Sequence, residues 1–314
     1  MTSITGVRVA VLDIGTNSTR LLIAEVDPDS GDIDEIVRHS RVTRLGDGVD
    51  AGGSLSEVAI GRVLETLGDY RREMDANDCQ ANLAVMTSAV RDAANGEEFA
   101  ARVGDEYGLD AQILKGEQEA QLTFLGAMAG RPAAVEPTVV IDIGGGSTEF
   151  VVGVGRSAGF HVSVPVGVVR MTERHIHHDP PSPSELQELA VQTREEFLAA
   201  IPATERDPVR SGIAVAGTAT SAASMEQELE PYDPGRVHGH PLLLATVELL
   251  LARLAEMNEE ERRRVPGLHP DRAPTIIAGM ILLSVAMRVM DLEKVEVSEH
   301  DILYGGALRL AGLG

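Results

Sequence analysis

At 314 residues, the chain is long enough to bury a large core and to form two domains. Apolar residues make up 43% and charged residues 24%, the balance of an ordinary soluble globular protein. A net charge of −22 with no Trp and few aromatics argues against nucleic acid and anionic membranes as partners, and against base-stacking platforms. A small phosphate ligand stays compatible, because surface charge is screened within about 8–10 Å. Of 27 basic residues only Lys115 and Lys294 are lysine. No Gly-x-x-x-x-Gly-Lys-Ser/Thr stretch occurs, which disfavours a P-loop enzyme. Cys79 stands alone, so no intrachain disulfide forms and a reducing cytoplasm is expected. The longest apolar helix candidate, Thr275 to Met287, is too short to span a bilayer and is followed by Arg288. The N-terminus lacks the pattern of a secretory leader.

In chain order, Val7 to Leu12 and Leu21 to Val26 read as a first hairpin, and Ile33 to Arg44 as a third strand. Ser54 and Glu57 have capping-box spacing ahead of a helix with apolar residues at Ile60, Val63, Leu64, Leu67 and Met74. Leu83 to Met86 is a short buried strand, after which Ser88 is placed to cap a helix. Gly116 opens another helix carrying Leu122, Leu125 and Met128. Gly130-Arg131-Pro132 and Glu136-Pro137 break the pattern and mark a crossover. The scheme then repeats, with strands at Val139 to Asp142, Phe150 to Val154 and Phe160 to Val164. A helix follows Ser184, with Gln187 at capping-box spacing, and then a strand at Ile213 to Ala216. Pro241 to Glu256 and Ala273 to Met290 read as helices, Val295 to Ser298 as a last strand and Ile302 to Ala311 as a last helix.

One pattern occurs twice. Val11-Leu12-Asp13-Ile14-Gly15-Thr16-Asn17-Ser18-Thr19-Arg20-Leu21 returns as Val140-Ile141-Asp142-Ile143-Gly144-Gly145-Gly146-Ser147-Thr148-Glu149-Phe150. Each copy is an apolar run, an Asp, a tight Gly/Ser/Thr turn and a second apolar run, which predicts strand, turn and returning strand. Such a turn offers backbone N–H groups and hydroxyls to phosphate oxygens, and a carboxylate to Mg2+. Glycine allows the backbone to approach a ligand closely. Two such turns in two similar halves point to a cleft that grips a phosphate chain. The second copy carries Glu149 where the first carries Arg20. That asymmetry fits one loop serving catalysis and the other binding, while Arg20 reads equally as an exposed strand residue.

These residues resemble the actin-like ATPase superfamily, and more closely the exopolyphosphatase / guanosine pentaphosphate phosphohydrolase family in its short form. The resemblance rests on five stretches in the family's order. They are Asp13 to Ser18, Thr87 to Ala93, Gly116 to Ala120, Asp142 to Glu149, and Ala216 to Thr220. It implies an α/β fold of two similar actin-like (ribonuclease H-like) domains with mixed sheets and a phosphate-binding interdomain cleft. Residues 1–130 form domain I, completed by the C-terminal helix 302–314, and residues 131–301 form domain II. One departure lies near the C-terminus. The family often has Leu-Arg-Glu-Gly there, and this chain has Ile302-Leu303-Tyr304-Gly305, without the Arg.

The resemblance implies release of terminal orthophosphate from linear polyphosphate, with guanosine pentaphosphate as the alternative substrate. A phosphotransferase and a non-hydrolytic alarmone sensor are the rivals from other classes. It also implies a homodimer and Mg2+ or Mn2+ as cofactor. Glu119 is the implied base. Its place in the first turn of a predicted helix favours a carboxylate there, although by pattern alone it reads as well as an acid that only complements the dipole. Glu117 would face away from it, as a solvated acid. Asp142 and Glu149 flank the Gly144-Gly145-Gly146 turn and read as residues that hold Mg2+ and position the water, with Asp13 doing the same from the other loop; the alternative is an Asp that only bonds its own backbone before a tight turn. Arg91 steadies charge or sits in a surface salt bridge, and Ser88 joins it at a helix start. Gly15, Thr16, Asn17, Ser18, Gly144, Gly145, Gly146, Ser147 and Thr148 would cradle phosphates. Gly217 and Thr218 resemble a segment that meets a nucleoside or distal phosphate. His175, His177 and His178, like His238 and His240, read as solvated residues rather than a metal cluster.

Overall fold

The computed structural model describes residues 6–131 and 136–313. The chain divides into two compact units, Met1–Pro132 with His300–Gly314, and Ala133–Glu299. The crossover expected at 130–137 lies in part at 132–135, outside the described residues.

The first unit is built on β1 (Val7–Ile14), β2 (Ser18–Val26), β3 (Ile33–Val42), β4 (Ala81–Met86) and β5 (Ala111–Ile113), in the order β3-β2-β1-β4-β5. The second is built on β6 (Thr138–Ile143), β7 (Thr148–Val154), β8 (Ser157–Val164), β9 (Ser211–Val215), β10 (Pro241–Leu243) and β11 (Lys294–Val297), in the order β10-β11-β9-β6-β7-β8. Both sheets are mixed, as the α/β reading expects. Each begins with three antiparallel strands (β1-β2-β3 and β6-β7-β8) and adds a parallel neighbour to the first of them, β4 or β9. β1 is apolar on both sides because both sides are covered. Ala10, Leu12 and Ile14 pack with Ile60, Val63 and Leu67 of α1 (Glu57–Ala76), and Val9 and Val11 pack with Leu303 and Ala307.

The remaining longer helices are α2 (Ser88–Asp92), α3 (Gly96–Tyr107), α4 (Gly116–Ala127), α5 (Val168–His175), α6 (Pro183–Ala200), α7 (Ala216–Glu226), α8 (Leu244–Ala255), α9 (Ile276–Val289) and α10 (Ile302–Leu310). Several differ from the sequence expectation. α1 is capped by Ser56, whose Oγ accepts from the Ala59 N–H, and not by Ser54. α6 uses Ser182 and Glu185 as its capping box in place of Ser184 and Gln187. The Pro at its first position favours this earlier start. α5 was not expected, because its Val-Val opening has strand character. α3 was absorbed into the helix after Ser88, and β10 into the helix after Pro241.

α10 returns the C-terminus to the first unit. Its approach to α4 is so close that only glycine fits. A Cβ at Gly305 would overlap the Leu122 carbonyl oxygen, and one at Gly126 would overlap the Asp301 carbonyl oxygen. Gly305→Ala is therefore expected to cost about 1–3 kcal/mol through overpacking, read as a lowered urea midpoint at unchanged slope.

The segment around His177 and His178 is gathered by Glu185. Glu185 accepts hydrogen bonds from the His177 N–H (2.9 Å), the Ser182 N–H (2.7 Å) and the Ser182 hydroxyl (3.0 Å), and its Oε1 lies 2.8 Å from His178 Nδ1. His178 and these donors hold its carboxyl down to about 2. A depressed folded pKa stabilises above the unfolded value and is lost as pH falls through the folded one. The stability gap between wild type and Glu185→Gln should therefore be full at neutral pH and narrow as pH falls from 4.5 to about 2. Denaturant melts across that range check it.

Candidate active site

Both turns of the repeated pattern are built the same way. The Gly15 N–H donates to the Ser18 carbonyl at 3.0 Å, and the Gly144 N–H to the Ser147 carbonyl at 2.9 Å. A second segment then captures the carbonyls of each loop. In the first unit the Gly46 N–H reaches the Thr16 carbonyl (2.8 Å), and the Thr43 and Arg44 N–H groups reach that of Asn17 (3.0 and 2.8 Å). In the second unit the first turn of α5 does the same. The Val168 N–H donates to Gly144 O (2.9 Å), and the Val169 N–H to Gly145 O (2.9 Å). A trans peptide points its N–H opposite to its C=O. Pulling the carbonyls of residues 16 and 17 inward turns the N–H groups of Asn17 and Ser18 outward. The same logic turns out those of Gly145 and Gly146. Successive outward amides form an anion-binding nest.

The bracing segments were missed by the sequence reading. Each contains a glycine that nothing larger can replace. A Cβ at Gly46 would overlap the Thr16 side chain, and one at Gly167 would overlap the backbone of Gly145 and Gly146. Arg62 secures the first brace from α1, donating to the Thr43 and Arg44 carbonyls at 2.6 and 2.9 Å. Arg44 itself is left-handed at φ 49°, an uncommon conformation for a side chain of this size. The signal was available, since Leu45-Gly46 and Val166-Gly167 both follow the third strand of their unit.

Glu119 lies in the first turn of α4 and is buried. Its Oε2 accepts from Arg91 Nη1 at 3.0 Å, and the same nitrogen lies 3.1 Å from the Leu114 carbonyl. Arg91 is thus held against the strand end beside Glu119. Ser88 does not cap α2, which begins after Thr87 without a side-chain cap. Its hydroxyl meets Thr16 Oγ1 at 2.9 Å instead. The first loop, Ser88, Arg91 and Glu119 are therefore joined within one unit by hydrogen bonds and by the helix that carries both Ser88 and Arg91. Glu117 is exposed.

Arg20 is neither an exposed strand residue nor a free cation. It stands directly across from Asp13 in the β1–β2 register and donates to Asp13 Oδ2 through Nε (2.9 Å) and Nη2 (2.5 Å). Its Nη1 donates to Asp301 Oδ2. Burial pushes the Asp13 carboxyl up, against the pull of Arg20. For Asp301, burial is outweighed by Arg20, Arg38 and the Leu303 N–H, and the carboxyl lies below its ordinary value. One oxygen of Asp13 is spent on Arg20, and Oδ1 is sealed from solvent with no hydrogen-bond partner among the described residues.

At the same register position of the second unit, Asp142 faces Glu149 across β6 and β7. Glu149 is buried, and its Oε1 accepts from the Ser147 hydroxyl (2.6 Å) and the Ser163 hydroxyl (2.7 Å). Ser147 thus spends its proton on Glu149. Thr148 turns inward, donating to the Val166 carbonyl at 2.6 Å, so its hydroxyl is not a phosphate contact. No cluster of three or more His, Cys, Asp or Glu suited to a metal occurs among the described residues.

Ala216 to Thr218 make the turn from β9 into α7. Ala216 is left-handed at φ 63°, a strain of about 1–3 kcal/mol of the kind that collects at functional sites. Arg272, which the sequence reading passed over, covers Gly217 so closely that a Cβ there would overlap its guanidinium. Thr218 is buried against Gly279 of α9.

The sequence profile of the Ppx/GppA phosphatase family matches residues 22–309. The chain belongs to that family. Exopolyphosphatase 2 of Mycobacterium tuberculosis is 36% identical over 316 residues, covering 97% of this chain and 99% of that one. The crystal structure of the Aquifex aeolicus Ppx/GppA family member matches with a TM-score of 0.82 at 31% identity, covering 97% of both chains. An exopolyphosphatase from Cytophaga hutchinsonii matches with a TM-score of 0.86 at 25% identity, over 97% of this chain and 98% of that one. The Ppx/GppA profile begins at Leu22, so the first loop lies ahead of the matched span and is read from its own geometry.

Proposed function

We propose that the chain is an exopolyphosphatase that releases terminal orthophosphate from linear inorganic polyphosphate by water attack. The observation that carries this reading is the paired turn, in which two braced loops each direct successive amides outward. Neutral donors of that kind suit a phosphate chain without a basic surface. Membership of a phosphatase family and relatives named exopolyphosphatase support the substrate class.

Hydrolysis needs a held phosphate, an oriented water and an acceptor for its proton. In this reading Glu119 serves as that acceptor, and Arg91, hydrogen-bonded to it, supplies a cation for the charge that develops on the phosphoryl oxygens. Ser88 and Thr16 hold the first loop beside them. In the second unit, Gly217 and Arg272 are read as groups that meet a phosphate.

Asp142 and Glu149 fit Mg2+. They stand across from each other on β6 and β7, and an all-oxygen pair of carboxylates suits a hard divalent cation. The ion, when bound, neutralises phosphate charge. Ser147 and Ser163 both donate to Oε1 of Glu149 and fix its carboxylate.

Glu119→Gln is expected to lower kcat at least a hundredfold with KM changed less than threefold. Phosphate release from polyphosphates of graded length, with guanosine pentaphosphate and ATP in parallel, tests the reading. Turnover near wild type in that variant would remove Glu119 as the base. Preferential cleavage of guanosine pentaphosphate would move the reading to the alarmone. Tight binding without release would mark a sensor. Asp142→Asn should raise the Mg2+ concentration for half-maximal rate by about 10–100-fold, and an unchanged Mg2+ titration would dismiss it as a ligand.

A further inference from the structure

We infer that Asp301 and Arg20 are positioning residues that hold the first phosphate loop in register with Glu119. The inference rests on the reading of Glu119 as the base. Its ground is a closed ring of contacts within the first unit.

One half of the ring is short and polar. Thr16 of the loop meets Ser88 on α2, Arg91 on the same helix meets Glu119, and Glu119 belongs to α4. The other half is ionic and then steric. Asp13 is the penultimate residue of the strand leading into the loop, and Arg20 follows the loop on β2. Arg20 binds Asp13 and Asp301 together. Asp301 caps α10, its Oδ1 accepting from the Leu303 N–H at 3.0 Å. α10 lies glycine-to-backbone on α4 at Gly126 and Gly305. The loop is therefore tied to the helix of Glu119 by two routes.

The ionic link has the properties of a stiff joint. The Asp301 side chain is 2% exposed and that of Arg20 17%, so solvent does little to screen them. A guanidinium gripping two carboxylates has one geometry, where a lysine would have many. α10 also has little slack to absorb a shift, because Gly305 lies against the Leu122 backbone and Gly126 of α4 against that of Asp301. Tyr304, one turn into α10, adds a second tether. Its hydroxyl donates to Glu35 of β3 at 2.7 Å, and its ring stacks on His300 at 3.9 Å. The stretch that departs from Leu-Arg-Glu-Gly is thus an anchoring site in this chain.

Asp301→Asn isolates the charge, since its amide oxygen can still cap the Leu303 N–H. It should lower kcat about tenfold with KM within twofold. By hydrogen exchange, amides in 13–20 and 116–127 should open severalfold faster, while those in 168–175 keep their wild-type rates. Asp301→Glu should recover most of kcat. The inference is overturned if kcat holds, or if exchange rises evenly over the whole chain, as simple destabilisation would give. Should Asp301→Asn fail to fold, Arg20→Lys, which keeps the charge and loses the fork, carries the same two readouts. Wild-type protein that releases no phosphate would defeat the proposed function. The exchange experiment needs no turnover and would still decide the tether.

Discussion

The capture of loop carbonyls is the constraint on which the anion-binding geometry depends. A tight turn alone leaves its peptide planes free to choose either side. Once Gly46 and its neighbours bind the carbonyls of Thr16 and Asn17, and α5 those of Gly144 and Gly145, peptide planarity leaves the amides one direction. The cost is carried away from the loops. It appears as the left-handed Arg44, as glycines with no room for a methyl group, and as the α5 N-terminus, whose first donors are used on the loop.

The two units put different charges on one frame. At the position facing the conserved-in-register Asp, the first has Arg20 and the second Glu149. Arg20 bridges Asp13 and Asp301, and burial still pushes the Asp13 carboxyl up against its pull. Glu149 adds a second negative charge beside Asp142, which suits a cation. The two turns share their backbone geometry and differ in charge at this register position.

Much of this was readable in the chain. The strands β1, β2, β6 and β7 announce themselves through apolar runs around a Gly/Ser/Thr turn, and α1 and α9 through their buried residues. Short-range signals misled where two candidates compete. Ser54 and Ser56 both have the chemistry of a cap, as do Ser182 and Ser184, and only the path of the chain chooses between them. Ser88 looked like a cap because it precedes a helix, yet its hydroxyl is drawn off by Thr16, a partner 72 positions away. Thr148 looked like a phosphate ligand because its neighbours are polar, yet strand alternation turns it into the core.

By itself the sequence determined the duplicated α/β pattern, the identity of the two turns and the residue types able to hold phosphate, because these follow from local periodicity and from what each side chain can do. Only the tertiary structure decided which groups meet. Arg20 with Asp301, Arg272 over Gly217, and Gly46 beneath Thr16 are contacts between segments distant in the chain. No local propensity encodes them, since their partners are brought together by the packing of sheets and helices.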